Sequence, residues 1–272
     1  MKLLRIAGLS LFLLAAISYT GYRVYEESII DEVVPVITDG SDSIIASVNI
    51  TNEDLLRGVV AKDDKDGDVT NSLMIEAVSD FVGPGERIIT YAAFDSNNNI
   101  AKQERKLVYT DYIPPRFSLS KPLRLSVGDQ DHILDYLKVW DCIDGDLSDK
   151  IKFDEPDYSF GTTVDTYQIE FQVTNSAGDT AYLPTEVEFY NAAYSDNKNS
   201  PEILLKEYLI YIKKGEGFDP KSYLKGSSIG NQNIVVSSNV NKNKPGVYNV
   251  EYSMMSQNGY SGTTKLVVVV EE

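Results

Sequence analysis

The chain of 272 residues is 42% hydrophobic and 24% charged, enough to bury cores and to build one large domain or two to three small ones. Its 25 Lys and Arg against 41 Asp and Glu give a formal charge of −16, which repels phosphate backbones and excludes nucleic acid as a partner. A single histidine, His132, and a single cysteine, Cys142, exclude internal disulfides and Cys/His zinc sites and close most routes to histidine-assisted catalysis.

The first 25 residues set the address. Lys2 and Arg5 form a positive stretch, and Ile6 to Tyr22 carries no charge before Arg23. Those 17 residues stand at the short end of what a helix needs to cross hydrocarbon. As a cleaved signal, the segment ends at Ala16-Ile17-Ser18, with small residues at both recognition positions. As an uncleaved anchor, Tyr19, Tyr22 and Tyr25 form an interfacial belt and the N-terminal charges stay cytoplasmic. Either way the remainder is expected outside the cell. The localisation expected is a single-pass cell-membrane protein with its C-terminal part extracellular, or a secreted one if the segment is cleaved. No cysteine follows the apolar run, so no lipoprotein anchor is expected.

Three segments then repeat. Pro84 to Ala93, Val164 to Val173 and Pro245 to Met254 align at spacings of 80 and 81 residues. In the second and third, Tyr167, Ile169, Phe171, Val173 and Tyr248, Val250, Tyr252, Met254 alternate with polar residues, the mark of a strand with one buried face. The first keeps Ile89, Tyr91 and Ala93 but has Arg87 at the first position, so a more open sandwich end is expected there. Each strand runs into a turn, Asp95 to Asn99, Asn175 to Asp179 and Ser256 to Gly259, and then a return strand, Lys106 to Tyr109, Glu186 to Phe189 and Leu266 to Val270. Each unit opens with a proline before an apolar pair, at Pro35, Pro115 and Pro201. One short helical turn is expected between opening strand and hairpin, capped by Thr51 in the first copy and by Asp219 before Pro220 in the third. The pattern predicts an all-β fold: three tandem Ig-like antiparallel β-sandwich domains after an N-terminal apolar signal or anchor helix. The boundaries expected are 1–28 for the helix and short linker, then 29–111, 112–192 and 193–272 for the three domains. Pro114 stiffens the first joint, whereas the second, Asn191 to Ser200, is longer and lacks proline, so the third domain is expected to pivot more freely.

Asp63-Asp64-Lys65-Asp66-Gly67-Asp68-Val69-Thr70 in the first copy matches Asp141-Cys142-Ile143-Asp144-Gly145-Asp146-Leu147-Ser148 in the second. With the later Pro-Gly-x-Tyr strand and the Asn-rich turn, this run resembles the bacterial Ig-like repeat family first described in a pesticidal crystal protein and common in exported Gram-positive surface proteins. The resemblance covers roughly residues 33 to 272, and the third copy departs from it with Ser227 to Ile234 in place of the acidic run. It implies a β-sandwich used as spacer, stalk or adhesive module, with no catalytic residues to carry over.

Clustered carboxylates can hold Ca²⁺, but an EF-hand needs acidic oxygens at positions one, three and five before its glycine. Counting back from Gly67 and Gly145 places Lys62 and Trp140 at position one, so neither run is an EF-hand. The favoured reading is that Asp63, Asp66, Asp68 and Asp141, Asp144, Asp146 hold loop amides in tight turns, with a non-EF calcium site as the alternative. No catalytic, cofactor-binding or metal-ligating residue is assigned, and no calcium dependence is expected of any isolated domain. His132 reads as a solvated loop residue and Cys142 as an inert half-buried thiol. The 18 tyrosines and Trp140 read as core packing before they read as a sugar-binding platform.

The function expected is a non-catalytic, membrane-anchored Ig-like stalk or interaction module at the bacterial envelope, whose partner is an unidentified envelope protein or cell-wall polymer. The alternative is a cell-wall glycan-binding protein or adhesin, calcium-stiffened or not. A cell-wall hydrolase is the remote alternative, because paired carboxylates across a cleft are not apparent.

Overall fold

Lys2–Ile29 forms one helix of 28 residues, as expected of a run rich in Leu, Ala and Ile with no proline. Its stretch Ile6–Tyr25 is long and apolar enough to cross a membrane, and none of it is buried against the protein. A helix of this kind is consistent with a signal or anchor segment. The computed structural model describes residues 2–29, 31–191 and 200–272, and it divides into two compact units, Met1–Tyr112 and Ile113–Glu272.

Everything described after the helix is strands, turns and short helical segments. In the first unit a small sheet pairs Val36–Thr38 with Val60–Asp63 and then Gly67–Asp68. A larger sheet runs in the order Ser43–Ala46, Ile100–Tyr109, Glu86–Phe94, Met74–Val78. Ile37 and Ala61 of the small sheet meet Ile89, Tyr91 and Leu107 of the large one in a single apolar core, the two-layer arrangement that alternating strands require. The second unit uses this plan twice. Arg116–Leu119, Leu137–Asp141 and Gly145–Asp146 form a small sheet, and Arg124–Ser126, Thr180–Tyr190 and Asp165–Thr174 a large one. In the last repeat Ile203–Leu205 pairs with Leu224–Ser227, and Leu209–Lys213, Ser261–Glu271, Gly246–Met255 and Val235–Ser238 complete the larger sheet.

The alternation read from sequence orients these strands. Tyr167, Ile169, Phe171 and Val173 are all buried, as are Val250, Tyr252 and Met254, while Tyr248 is half-buried. The Arg87 side chain is also half-buried, its guanidinium donating to the carbonyls of Val78 and Ser79. The expected turns are present: Thr51 caps Asn52–Leu56 by accepting from the Asp54 amide, and Asp219 caps Pro220–Tyr223 by accepting from the Lys221 amide. These turns are held from above by the strands. Tyr91 Oη donates to the Leu55 carbonyl at 2.7 Å and Tyr252 Oη to the Pro220 carbonyl at 2.6 Å.

The sheets are not purely antiparallel. Ser43–Ala46 runs parallel to Ile100–Tyr109, Arg124–Ser126 to Thr180–Tyr190 and Leu209–Lys213 to Ser261–Glu271. The cause is the same each time. The chain leaves the opening strand of the small sheet, turns, and crosses to lie beside the return strand of the large one.

The second and third repeats also share more than a linker. Leu209 and Val267 of the third join the core of the second. Tyr211 Oη accepts from the Phe117 amide at 2.9 Å, and Arg116 lies over the Tyr211 ring while binding the Glu271 carboxylate at 2.6 and 2.8 Å. Burial pushes the Tyr211 phenol up to about 12. Glu186 of the second repeat accepts from Lys265 of the third. The free pivot expected from linker composition is therefore opposed by packing between strands. Most of that joint, 192–199, lies outside the described residues.

Candidate functional site

The acidic run forms the tight hairpin of the small sheet in both repeats that carry it. It joins Val60–Asp63 to Gly67–Asp68 in the first and Leu137–Asp141 to Gly145–Asp146 in the second. Gly67 and Gly145 adopt φ of 75° and 76°, a left-handed conformation that side chains with a Cβ resist, which accounts for the Asp-Gly-Asp pattern.

Each of the six carboxylates singled out in the sequence accepts from a backbone amide. Asp63 Oδ1 takes the amides of Lys65 and Asp66 at 2.9 and 2.8 Å, and Asp141 Oδ1 those of Ile143 and Asp144 at 2.9 Å each. Asp68 and Asp146 accept from the amides of Thr70 and Ser148 at 3.0 and 2.9 Å. Hydroxyl and amide donation from Thr70 holds the Asp68 carboxyl below the usual carboxylate value, and Ser148 does the same for Asp146. The middle carboxylates reach across to the turn of the large-sheet hairpin. Ser96 donates its amide and hydroxyl to Asp66 at 2.6 and 3.0 Å; Ser176 donates both to Asp144 at 2.6 Å. The two turns at one end of each sandwich are thus clamped together.

The repeats part company at the next residue inward. In the second, Asn175 Nδ2 donates to Asp141 Oδ2 at 3.3 Å, while Asn175 Oδ1 accepts from the amides of Ala177 and Asp179. In the first the same position is Asp95. Its Oδ1 accepts from the amides of Asn97 and Asn99 and its Oδ2 from Asn99 Nδ2. Burial disfavours the charged form of Asp95, but these donors together hold its carboxyl below the ordinary value. Asp95 and Asp63 are joined by Asp31, and one oxygen from each of the three lies within 4.8 Å of the others. All three residues are buried. Sequence reasoning found Asp63 through its motif and named Asp95 only as a turn residue. It missed Asp31, although Asp31 precedes Pro35 by the same four residues that separate Asp111 from Pro115.

The remaining candidates take ordinary places. His132 is exposed on a short helical turn, its Nδ1 2.9 Å from Asp135 Oδ2. Cys142 is half-buried, with Sγ 3.2 Å from the Ile113 carbonyl. Phe153, Phe160, Tyr167, Phe171 and Phe189 form a continuous ring cluster inside the second repeat. Trp140 and Tyr182 are exposed, but each points away from the core on a different sheet of that repeat, so they form no common platform.

No family model matches the chain, so the likeness to pesticidal-crystal-type Ig-like repeats rests on its motif residues alone. An uncharacterized 81.3 kDa protein of Acholeplasma phage L2 is 27% identical over 176 residues, which cover 62% of this chain and 22% of that protein. The chain thus matches about a fifth of that relative's length. Among solved structures, the M60 catalytic domain with CBM51 domains of Clostridium perfringens ZmpB aligns at 13% identity over 89% of this chain and 31% of its own, with a TM-score of 0.23. The lipoprotein BT2262 of Bacteroides thetaiotaomicron aligns at 12% identity over 86% and 98%, with a TM-score of 0.22. Drosophila N-cadherin EC1–4 aligns at 12% over 79% and 61%, with a TM-score of 0.20. Similarity at this level carries no functional weight, and the sandwich reading stands on the sheets and cores described above.

Proposed function

We propose that this chain is a non-catalytic, membrane-anchored stalk or interaction module that displays three Ig-like repeats, residues 29–111, 112–192 and 193–272, outside a bacterial cell. The observation that carries the reading is the helix: Ile6–Tyr25 is apolar, spans 20 residues and has no face buried. Twenty residues at 1.5 Å each match a hydrocarbon core of about 30 Å. Lys2 and Arg5 precede the span, which favours an N-terminus inside and the repeats outside. Three further features favour a display role over catalysis. Strand aromatics such as Tyr91, Phe117, Tyr167, Phe171, Phe189 and Tyr252 lie in cores, the conspicuous carboxylates are bonded to turns, and the three that converge are buried, where a polymer cannot reach them.

The partner in this reading is an envelope protein or cell-wall polymer. Protease added to intact, wall-stripped cells should remove the repeats and leave a membrane-embedded N-terminal fragment. Full protection of the repeats overturns the topology. The mass of the mature chain separates the uncleaved anchor from a secreted form cut after Ser18.

A further inference from the structure

Asp31, Asp63 and Asp95 come together from three separate parts of the first repeat. Asp31 is the first described residue after the helix, Asp63 ends a strand of the small sheet, and Asp95 opens the turn of the large-sheet hairpin. They are only 6%, 7% and 4% exposed. Among the described residues this is the one group of carboxylates gathered closely enough to share an ion.

A second observation bears on the same point. Asp63 Oδ1 is turned to the amides of Lys65 and Asp66, which leaves Oδ2 for the cluster. That oxygen is buried and has no hydrogen-bond partner among the described residues. A buried carboxylate oxygen without a donor is costly, and proteins relieve it with a proton donor or a cation. The second repeat supplies the donor: Asn175 Nδ2 serves Asp141 Oδ2. Asp111, which precedes Pro115 as Asp31 precedes Pro35, is engaged within the first unit, where it accepts from Ser47 Oγ and the Val48 amide. In the first repeat Asp95 stands where Asn175 would donate, and it adds charge instead. Lys65 Nζ approaches Asp31 Oδ1 to 3.9 Å. Three carboxylates against one lysine leave two negative charges, the charge of one divalent cation.

We propose that Asp31, Asp63 and Asp95 hold one Ca²⁺ ion, which fastens the chain leaving the membrane helix to the first sandwich. The donor set is all oxygen, which selects a hard cation over zinc or copper. Ca²⁺ takes about six to eight oxygens in a flexible shell, whereas Mg²⁺ demands a near-ideal octahedron and keeps several waters, which suits three buried carboxylates less well. Asn99 acts outside the shell. Its Nδ2 donates to the Asp31 carbonyl at 2.9 Å and to Asp95 Oδ2 at 2.7 Å, orienting two of the ligands. The site depends on this cluster and not on what the stalk binds.

The test is calorimetric titration of the full chain in detergent micelles, stripped of divalent ions, with CaCl₂ and separately with MgCl₂. One Ca²⁺ per chain is expected, bound more tightly than Mg²⁺, with a rise in the melting temperature of the wild type. Asp95→Asn copies the second repeat and is expected to weaken binding by about tenfold or more, the scale even of outer-shell changes. Asp144→Asn, in the second repeat, is expected to leave binding unchanged. Calcium is also expected to slow proteolysis around Asp31. No binding heat and no melting shift at millimolar calcium overturns the site, as does unchanged affinity in Asp95→Asn or lost affinity in Asp144→Asn. Equal affinity for Mg²⁺ overturns the choice of ion, and unaltered cleavage around Asp31 overturns the fastening role. If Asp95→Asn does not fold, the wild-type titration and Asp31→Asn decide.

Discussion

The first and second repeats share a motif, a hairpin and a clamp between turns, yet they resolve the same buried carboxylate differently. Asp141, fully buried, receives amides on one oxygen and the Asn175 side chain on the other. Asp63, equally bonded on its first oxygen, keeps the second buried without a donor and lies in a cluster with Asp31 and Asp95. One atom in the partner side chain, nitrogen in Asn175 and oxygen in Asp95, converts a donor into a charge. The same Asp-x-x-Asp-Gly-Asp pattern can therefore close as a turn in one place and join a cluster of carboxylates in another. The motif itself does not distinguish them.

Interchanging that atom is the most severe way to break the comparison. Asn175→Asp keeps the acceptor that serves Ala177 and Asp179 but places a second carboxylate against Asp141. An uncompensated buried charge costs on the order of 3 kcal/mol. Denaturant unfolding of the full chain in divalent-free buffer should show a loss of that size. A neutral result means that the Asp141 environment tolerates charge, and the distinction between the repeats collapses.

A second contrast lies one strand away. Tyr91, Phe171 and Tyr252 occupy the same aligned position, and all three are fully buried. The outer two hold a short turn through a hydroxyl, whereas Phe171 packs its ring 5.2 Å from that of Phe153. Phe171→Tyr places a hydroxyl in an aromatic core without a ready acceptor, at a cost of about 1–3 kcal/mol. Tyr91→Phe leaves the Leu55 carbonyl unserved, with a loss of about 1 kcal/mol or somewhat more. Thermal melts should rank the two in that order. A reversed order means that the turn, and not the ring cluster, is the more tightly constrained element.

These contrasts also mark what could be read from the residues alone. Period-two alternation in Tyr167 to Val173, the tight Asp-Gly-Asp turns and the caps at Thr51 and Asp219 are local effects, and each is present as expected. Strand partners chosen at long range were not legible. Nothing in Ser43–Ala46 announces that it pairs in parallel with residues some sixty positions later. The carboxylate triad failed to show for the same reason: its members lie 32 residues apart in sequence, and only Asp63 belongs to a recognisable motif. Linker composition at 191–200 likewise carries no information about Tyr211 meeting Phe117.

The same joint yields the mildest test, which weighs the joined second and third repeats against linker length. Glu186 accepts from Lys265, and this bond, opposed in part by burial, holds the Glu186 carboxyl below the ordinary glutamate value. A carboxylate with a depressed folded value contributes stability that is fully present above its unfolded value and is lost as pH falls through the folded one. The contribution should thus be intact at neutral pH and decline below about pH 4. The pair is partly exposed, so screening keeps the effect small and sensitive to salt. Comparing wild type with Glu186→Gln by limited proteolysis between the second and third repeats, the variant should be cut faster at pH 7. The two should converge as the pH falls and Glu186 takes up its proton. A difference that persists undiminished at low pH assigns the joint to the apolar contacts of Leu209 and Val267 and leaves the ion pair no part in it.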